Sequence, residues 1–130
     1  MSVVRSLTPV AAGLLTLVLA SAAQATDTPG AVHGDPIRGK ALYQACSGCH
    51  SLDENDVGPK HRGVVGRHSA IVPGYNYSPA LKASGLTWSK ANLDRWLTNP
   101  QALVPGARMF FSVKDPQSRA DIIAYLSEQR

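Results

Sequence analysis

The chain has 130 residues, 13 of them basic and 9 acidic, so its formal net charge at neutral pH is +4. This length suits one small domain and excludes a multidomain protein. The basic residues are scattered and are not interleaved with aromatic residues, so we expect no binding of nucleic acid. The mild positive charge instead favours an acidic partner or an anionic surface.

The first 25 residues have the layout of a secretory signal peptide. Arg5 precedes an apolar run from Val10 to Ala20, and Ala23-Gln24-Ala25 then supplies a small-x-small cleavage pattern. The apolar run is shorter than the roughly 20 residues that a membrane-spanning helix needs. We therefore expect residues 1–25 to be removed on export to the periplasm, with no stable membrane insertion afterwards. Residues 26–33 would form a short polar leader.

Residues 34–130 are predicted to form a single domain. Its first helix begins at Asp35, which can cap it, and Pro36, which suits the first helical position. Apolar residues then recur on one helical face as far as Cys46. The segment that follows, residues 51–85, is rich in Gly, Pro and Asn. This composition predicts loops, with one short helix near Ser78–Ser84.

Two further helices are predicted in the C-terminal part. Thr87 or Ser89 can cap the first, which ends at Asn99, and a loop then continues to Asp115, where the last helix begins. Three main helices joined by such long loops can bury little surface among themselves. Long loops are uncommon in a compact domain unless they hold something. We therefore predict an all-α fold whose core is completed by a bound apolar cofactor.

The segment QACSGCHS contains the two cysteines of the chain, Cys46 and Cys49, followed by His50. A thioredoxin-like dithiol would need a βαβ pattern, a zinc site usually combines two close pairs of ligands, and so short a disulfide loop would stabilise little. Covalent attachment of haem c fits better. Two thiols at this spacing can add to the vinyl groups on one porphyrin edge, and the next residue then projects beneath the ring. We expect thioethers at Cys46 and Cys49, with His50 on the iron.

Met109 is the only methionine after the predicted signal peptide. Methionine often fills core space, but Met109 lies in a predicted loop, just after the turn formed by Pro105 and Gly106. This position favours a second axial ligand of the iron. Ligation by histidine and methionine raises the reduction potential, and a saturated iron favours electron transfer over catalysis.

With these features, the chain resembles the class I cytochromes c of the mitochondrial and bacterial cytochrome c2 type. The resemblance covers roughly Gly34–Leu126 and rests on five motifs in order: GDPIRGKALYQACSGCH, VGPKHRGVVGR, PGYNYSPALKASGLTW, LTNPQALVPGARMFF and SRADIIAYL. It implies the cytochrome c fold, with three main helices plus loops wrapped around one covalently bound haem. It also implies a soluble, monomeric, periplasmic monohaem electron carrier and not an enzyme.

The resemblance implies roles for further residues. The carbonyl of Pro59 would accept a hydrogen bond from His50, and Arg67, Tyr77 and Trp88 match positions near the inner haem propionate. The redox partner proteins would present acidic docking surfaces to the exposed haem edge. Candidate residues for steering these partners are Lys40, Lys60, Lys82, Lys90 and Arg108.

The chain also departs from the family pattern at several positions near the expected haem. His61 stands in place of leucine, Trp96 in place of a tyrosine that donates to the axial sulfur, Ala107 in place of threonine and Leu81 in place of asparagine. We expect a less polar pocket, a raised reduction potential and a methionine that is less well tethered. These departures leave open a haem sensor or peroxidase-like enzyme with a labile methionine. A haem subunit of a larger oxidoreductase also stays open.

Overall fold

The computed structural model describes residues 32–130, so the predicted signal peptide and most of the leader lie outside the described residues. The helices are α1 (Pro36–Leu42), which continues as a 3-10 turn at Tyr43–Ala45, α2 (Pro79–Ala83), α3 (Lys90–Thr98), α4 (Pro100–Leu103) and α5 (Pro116–Glu128). Residues 32–130 contain no strand beyond one isolated bridge between His68 and Thr87. The predicted all-α class is confirmed. None of the described helices is long and apolar enough to cross a membrane.

The predicted helix starts are found where the capping residues indicated. The side chain of Asp35 accepts hydrogen bonds from backbone N–H groups in the first turn of α1, and Asp115 does the same for α5. Ser78 caps α2 in this way. Of the two candidates for α3, Ser89 is the cap, whereas Thr87 lies in the preceding bridge. Local capping chemistry therefore fixes where the chain enters each of these helices.

The segment after α3 is not the continuous loop that the sequence predicted. Asn99 ends α3, and its side chain accepts a hydrogen bond from the N–H of Ala102, which caps the short helix α4. Pro100 is the first residue of α4 and is fully buried. A proline that stops one helix can begin the next, because the first helical N–H has no intrahelical partner anyway. A helix of four residues is too short to show a periodic pattern in the sequence.

The main helix–helix contact is the crossing of α1 and α5. A Cβ atom at Gly39 would overlap the backbone carbonyl of Asp121, so the two backbones approach as closely as only glycine permits. The Asp121 carboxylate is buried there and accepts hydrogen bonds from the Asp35 N–H at 2.7 Å and from Arg38 Nε at 3.0 Å. The bond from Arg38, more than any other contact, lowers the pKa of Asp121 to about 2. This crossing ties the two ends of the domain together and leaves the intervening loops to surround a cavity.

Candidate haem site

A cavity of about 460 Å³ lies among the loops and the helices α3 and α5. Its walls are mainly apolar and include Leu93, Leu97 and Ile122. All the candidate site residues line this one cavity, namely Cys46, Cys49, His50, Pro59, Arg67, Tyr77, Trp88, Trp96 and Met109. The fold therefore brings together residues that are spread over more than half of the described chain.

The two cysteines lie on one wall of the cavity, in the tight turn that follows α1. The backbone N–H groups of Cys49 and His50 both donate to the carbonyl oxygen of Cys46, at 3.1 and 2.9 Å. Both thiols are free, with Cys46 partly buried and Cys49 exposed, and burial raises the pKa of Cys46. Residues 32–130 hold no group of three or more His, Cys, Asp or Glu side chains that could bind a metal. The cysteines are thus available for thioether bonds and lack the companions of a zinc site.

The ring of His50 is held in a fixed orientation. Its Nδ1 lies 2.8 Å from the carbonyl oxygen of Pro59 and donates a hydrogen bond to it. Burial lowers the pKa of His50, and the bond to Pro59 opposes this shift. A neutral ring that donates through Nδ1 keeps the lone pair of Nε2 for a metal ion. A Cβ atom at Gly58 would overlap this ring, so only glycine fits beside it.

His61 is stacked on His50, with ring centroids 3.9 Å apart and planes inclined by 20°. Its Nδ1 and the hydroxyl of Tyr43 share a hydrogen bond of 3.0 Å. Burial, followed by the nearby charges of His50 and Arg67, lowers the pKa of His61 to about 3. His61 is therefore an uncharged ring that faces inward at neutral pH, in a place where the resembling family has leucine.

Met109 also lines the cavity, and its sulfur accepts a hydrogen bond. The indole Nε1 of Trp96 lies 3.2 Å from Met109 Sδ and donates to it. Trp96 is buried and in edge contact with Trp88, at 5.1 Å between ring centroids. The indole therefore donates to the sulfur in the place where the family has a tyrosine. Leu81, which stands in place of asparagine, is buried and lines the cavity, and Ala107, in place of threonine, is also buried.

Arg67 brings a positive charge to the cavity. Its guanidinium donates to two backbone carbonyl groups of the preceding loop, each at 2.9 Å. Its pKa is lowered by burial, and among residues 32–130 it forms no ion pair with a carboxylate. Tyr77 and Trp88 line the same cavity and are buried. A half-buried cation without an acidic partner favours an anionic group in the cavity.

Sequence reasoning missed two residues that shape this site. Gly58 makes room for the His50 ring, and its N–H donates to the carbonyl of Cys49 at 2.7 Å. Its place directly before Pro59 was a usable signal, because glycine often marks a close approach. Gln101 on α4 binds the backbone around Met109. No sequence signal points to Gln101, since its helix of four residues is too short to show a periodic pattern.

The cavity fits haem c. Two free thiols, an imidazole with an available Nε2, a thioether and the cation of Arg67 all line it. The rest of the lining is mainly apolar, which suits the porphyrin faces. Cys46 and Cys49 are spaced for two thioethers, and the haem supplies the iron that accepts and releases one electron.

The chain is similar to known cytochromes c. The model of the cytochrome c family matches residues 37–130. The chain is 47% identical to cytochrome c2 of Rhodomicrobium vannielii over 100 residues, which are 74% of this chain and 80% of the relative. It is 50% identical to cytochrome c2 of Rhodopila globiformis over 97 residues, 72% of this chain and 92% of the relative.

A solved structure adds the fold. Cytochrome cH from Methylobacterium extorquens matches with a TM-score of 0.71 and 45% identity, over 72% of this chain and 98% of that one. The family model and these relatives cover most of the described residues. The chain therefore belongs to the cytochrome c family, as an electron-transfer protein of the cytochrome c2 type that carries one covalently attached haem c and is not an enzyme.

Proposed function

We propose that the protein is a periplasmic one-electron carrier whose haem iron is bound by His50 and Met109. The observation that carries this proposal is that two ligand candidates line one cavity and each is held by a hydrogen bond. His50 is held through Nδ1 by the Pro59 carbonyl, and Met109 Sδ accepts a hydrogen bond from Trp96. An iron with both axial positions occupied exchanges electrons without binding substrate.

The two tethers act on the iron in opposite directions. The bond to the Pro59 carbonyl makes the His50 imidazole a stronger donor, which stabilises the ferric state. The indole N–H of Trp96 draws electron density from the sulfur of Met109, which favours the ferrous state, as a soft thioether itself does. With Ala107 and Leu81 reducing the polarity of the pocket, we expect a raised reduction potential.

Arg67, Tyr77 and Trp88 are the residues proposed to hold the inner propionate. The guanidinium of Arg67 is fixed by backbone carbonyl groups and has no carboxylate partner among residues 32–130. The hydroxyl of Tyr77 accepts a hydrogen bond from a backbone N–H and can still donate one of its own. Such donors offset the cost of burying a carboxylate.

The periplasmic location and the monomeric state rest on the sequence and on bacterial cytochromes c2 as relatives. Residues 1–25 are proposed to be cleaved as a signal peptide and residues 26–33 to lead into the domain. Acidic docking surfaces on the redox partners are proposed because five basic residues of this chain are candidates for steering them. Of these, Arg108 lines the cavity, whereas Lys90 lies in a separate depression beside Gly63 and Arg130. We therefore expect Arg108 to matter more than Lys90 for docking.

The first experiment is the optical spectrum of the full chain expressed with haem-attachment machinery. A weak Fe(III)–sulfur charge-transfer band in the oxidised protein and no response of the reduced protein to CO are expected. The variant Met109→Ala should lose the band and bind CO. A wild-type protein that lacks the Fe(III)–sulfur band, or that binds CO readily, would refute ligation by Met109. Such a result would favour the alternative of a haem sensor.

The location and assembly are tested on the same preparation. A mass that corresponds to residues 26–130 plus one haem is expected in the periplasmic fraction. Size-exclusion chromatography should give a monomer, and elution with another protein would instead support a subunit of a larger oxidoreductase. Electron transfer to an acidic partner should slow as ionic strength rises, and Arg108→Gln should slow it more than Lys90→Gln.

A further inference from the structure

The side chain of Gln101 binds the segment that carries Met109 at three points. Its Nε2 donates to the carbonyl oxygens of Ala107 and Met109, at 2.7 and 2.9 Å. Its Oε1 accepts a longer hydrogen bond from the N–H of Gly106, at 3.4 Å. The amide nitrogen thus faces two acceptors and the amide oxygen faces a donor, which fixes the orientation of the amide. One side chain therefore clamps a segment of four residues.

Within residues 32–130, the backbone of Met109 has no hydrogen bond other than the one from Gln101. The side chain of the neighbouring Arg108 donates to the carbonyl oxygen of Asn76 at 2.7 Å, and the backbone-to-backbone bonds of this segment stop at Ala107 and resume at Val113. Val113 donates to the carbonyl of Leu97, beyond the methionine. The hydrogen bond from Gln101 is thus the one that restrains the backbone of Met109 within the described residues.

Gln101 is well placed to act as an anchor because α4 is rigidly held. Pro100, directly before it, is fully buried, and Asn99 caps the helix through the N–H of Ala102. The left-handed conformation of Gly106, with φ of 90°, turns the chain back so that Ala107 and Met109 face the amide. A fixed helix and a tight turn together bring three backbone groups to one carboxamide.

We propose that Gln101 is a positioning residue that keeps the sulfur of Met109 on the haem iron. This inference rests on the ligation proposed above. The bond between iron and a thioether is weak enough for other ligands to compete with it, and a loop that is free to move lets the sulfur leave. The clamp restrains the backbone of Met109, while Trp96 restrains its sulfur. The two contacts hold the ligand from both ends.

The test compares three variants of the full-length holoprotein. Gln101→Met keeps the size and neutrality of the side chain but removes both donors, and Gln101→Glu turns an oxygen toward the two carbonyl groups. Ala102→Glu is the control, since it adds the same charge on α4 at an exposed position. The readouts are the Fe(III)–sulfur band and the affinity of the ferric protein for imidazole, which displaces the sulfur.

Gln101→Met loses the hydrogen bonds that favour the form with the Met109 sulfur on the iron. The apparent affinity of the ferric protein for imidazole should therefore rise about tenfold. A larger increase and a weakened Fe(III)–sulfur band are expected in Gln101→Glu. Ala102→Glu should match the wild type. Far-UV circular dichroism establishes that each variant is folded, so that a change in imidazole affinity is read on native protein.

The outcomes separate this inference from the proposed function. A wild-type protein without the Fe(III)–sulfur band would refute ligation by Met109, on which the role of Gln101 depends. A normal wild-type band with unchanged imidazole affinity in both Gln101 variants would overturn the positioning role alone. Equal effects of Ala102→Glu and Gln101→Glu would also overturn it, because charge and not the clamp would then explain the result.

Discussion

Replacing Trp96 with phenylalanine removes the hydrogen bond that its indole donates to Met109 Sδ at 3.2 Å. With Met109 as axial ligand, a donor on the sulfur stabilises ferrous relative to ferric iron. A neutral hydrogen bond contributes about 0.5–1.5 kcal/mol. In a one-electron couple this corresponds to about 20–60 mV, if the bond is made in only one oxidation state. We therefore expect Trp96→Phe to lower the reduction potential by up to about 60 mV.

Potentiometric titration of the holoprotein measures this shift, and Trp96→Tyr is the matched variant because its hydroxyl can also donate to the sulfur. Trp96→Tyr should lie nearer the wild type than Trp96→Phe. Both substitutions remove part of a buried ring, so thermal unfolding should record a similar loss of stability in each. An unchanged or higher potential in Trp96→Phe, with the Fe(III)–sulfur band intact, would refute the reasoning. Equal potentials in the two variants would assign the shift to lost volume.

Three further predictions concern stability. Gly39→Ala should cost about 2–3 kcal/mol of unfolding free energy, measured by urea denaturation, because its Cβ would overlap the backbone of α5. Gly48→Ala is the control and should be nearly neutral, because its Cβ would meet nothing within 4 Å. The lowered pKa of Asp121, about 2, means that its contribution to stability is present above its unfolded pKa of about 4 and is lost as pH falls toward 2. Asp121→Asn should therefore be less stable at pH 6 and should show a smaller fall in stability between pH 4 and pH 2; an unchanged acid slope would contradict this. His61→Leu should cost about 1–3 kcal/mol of unfolding free energy because the buried hydroxyl of Tyr43 loses its hydrogen-bond partner. Adding Tyr43→Phe should recover part of that loss in a double-mutant cycle. Additive effects of the two changes would show that the hydrogen bond does not couple these residues.

The elements that could be predicted from the sequence are those set by local chemistry. Asp35 and Asp115 each precede a proline, and both cap helices in the structure. The spacing of Cys46, Cys49 and His50 requires only a turn, which the backbone bonds to the carbonyl of Cys46 provide. Such signals act over a few residues, so that they can be read without knowledge of the rest of the fold.

The parts that could not be predicted depend on contacts between distant segments. The inward orientation of His61 depends on Tyr43, which lies on the 3-10 turn after α1. Arg119 is buried in α5 because it binds Asp94 and the backbone before α5. Gln101 acts on carbonyl groups, which every residue type carries and which leave no trace in the sequence. Helix α4 itself was hidden because the proline that ends α3 also begins it.

Each of the two proposed axial ligands is restrained by two neighbouring residues. On the His50 side, the Pro59 carbonyl fixes the ring and the stacked ring of His61 supports its face. On the Met109 side, Trp96 and Gln101 restrain the sulfur and the backbone. If His50 and Met109 bind the iron as proposed, restraint of both would keep the ligand geometry similar in the two oxidation states, and a small change in geometry would lower the cost of moving one electron. With Met109 as the proposed ligand, the same restraint would oppose the opening that a sensor or a peroxidase needs, because an incoming ligand would first have to displace a methionine that is restrained at its sulfur and at its backbone.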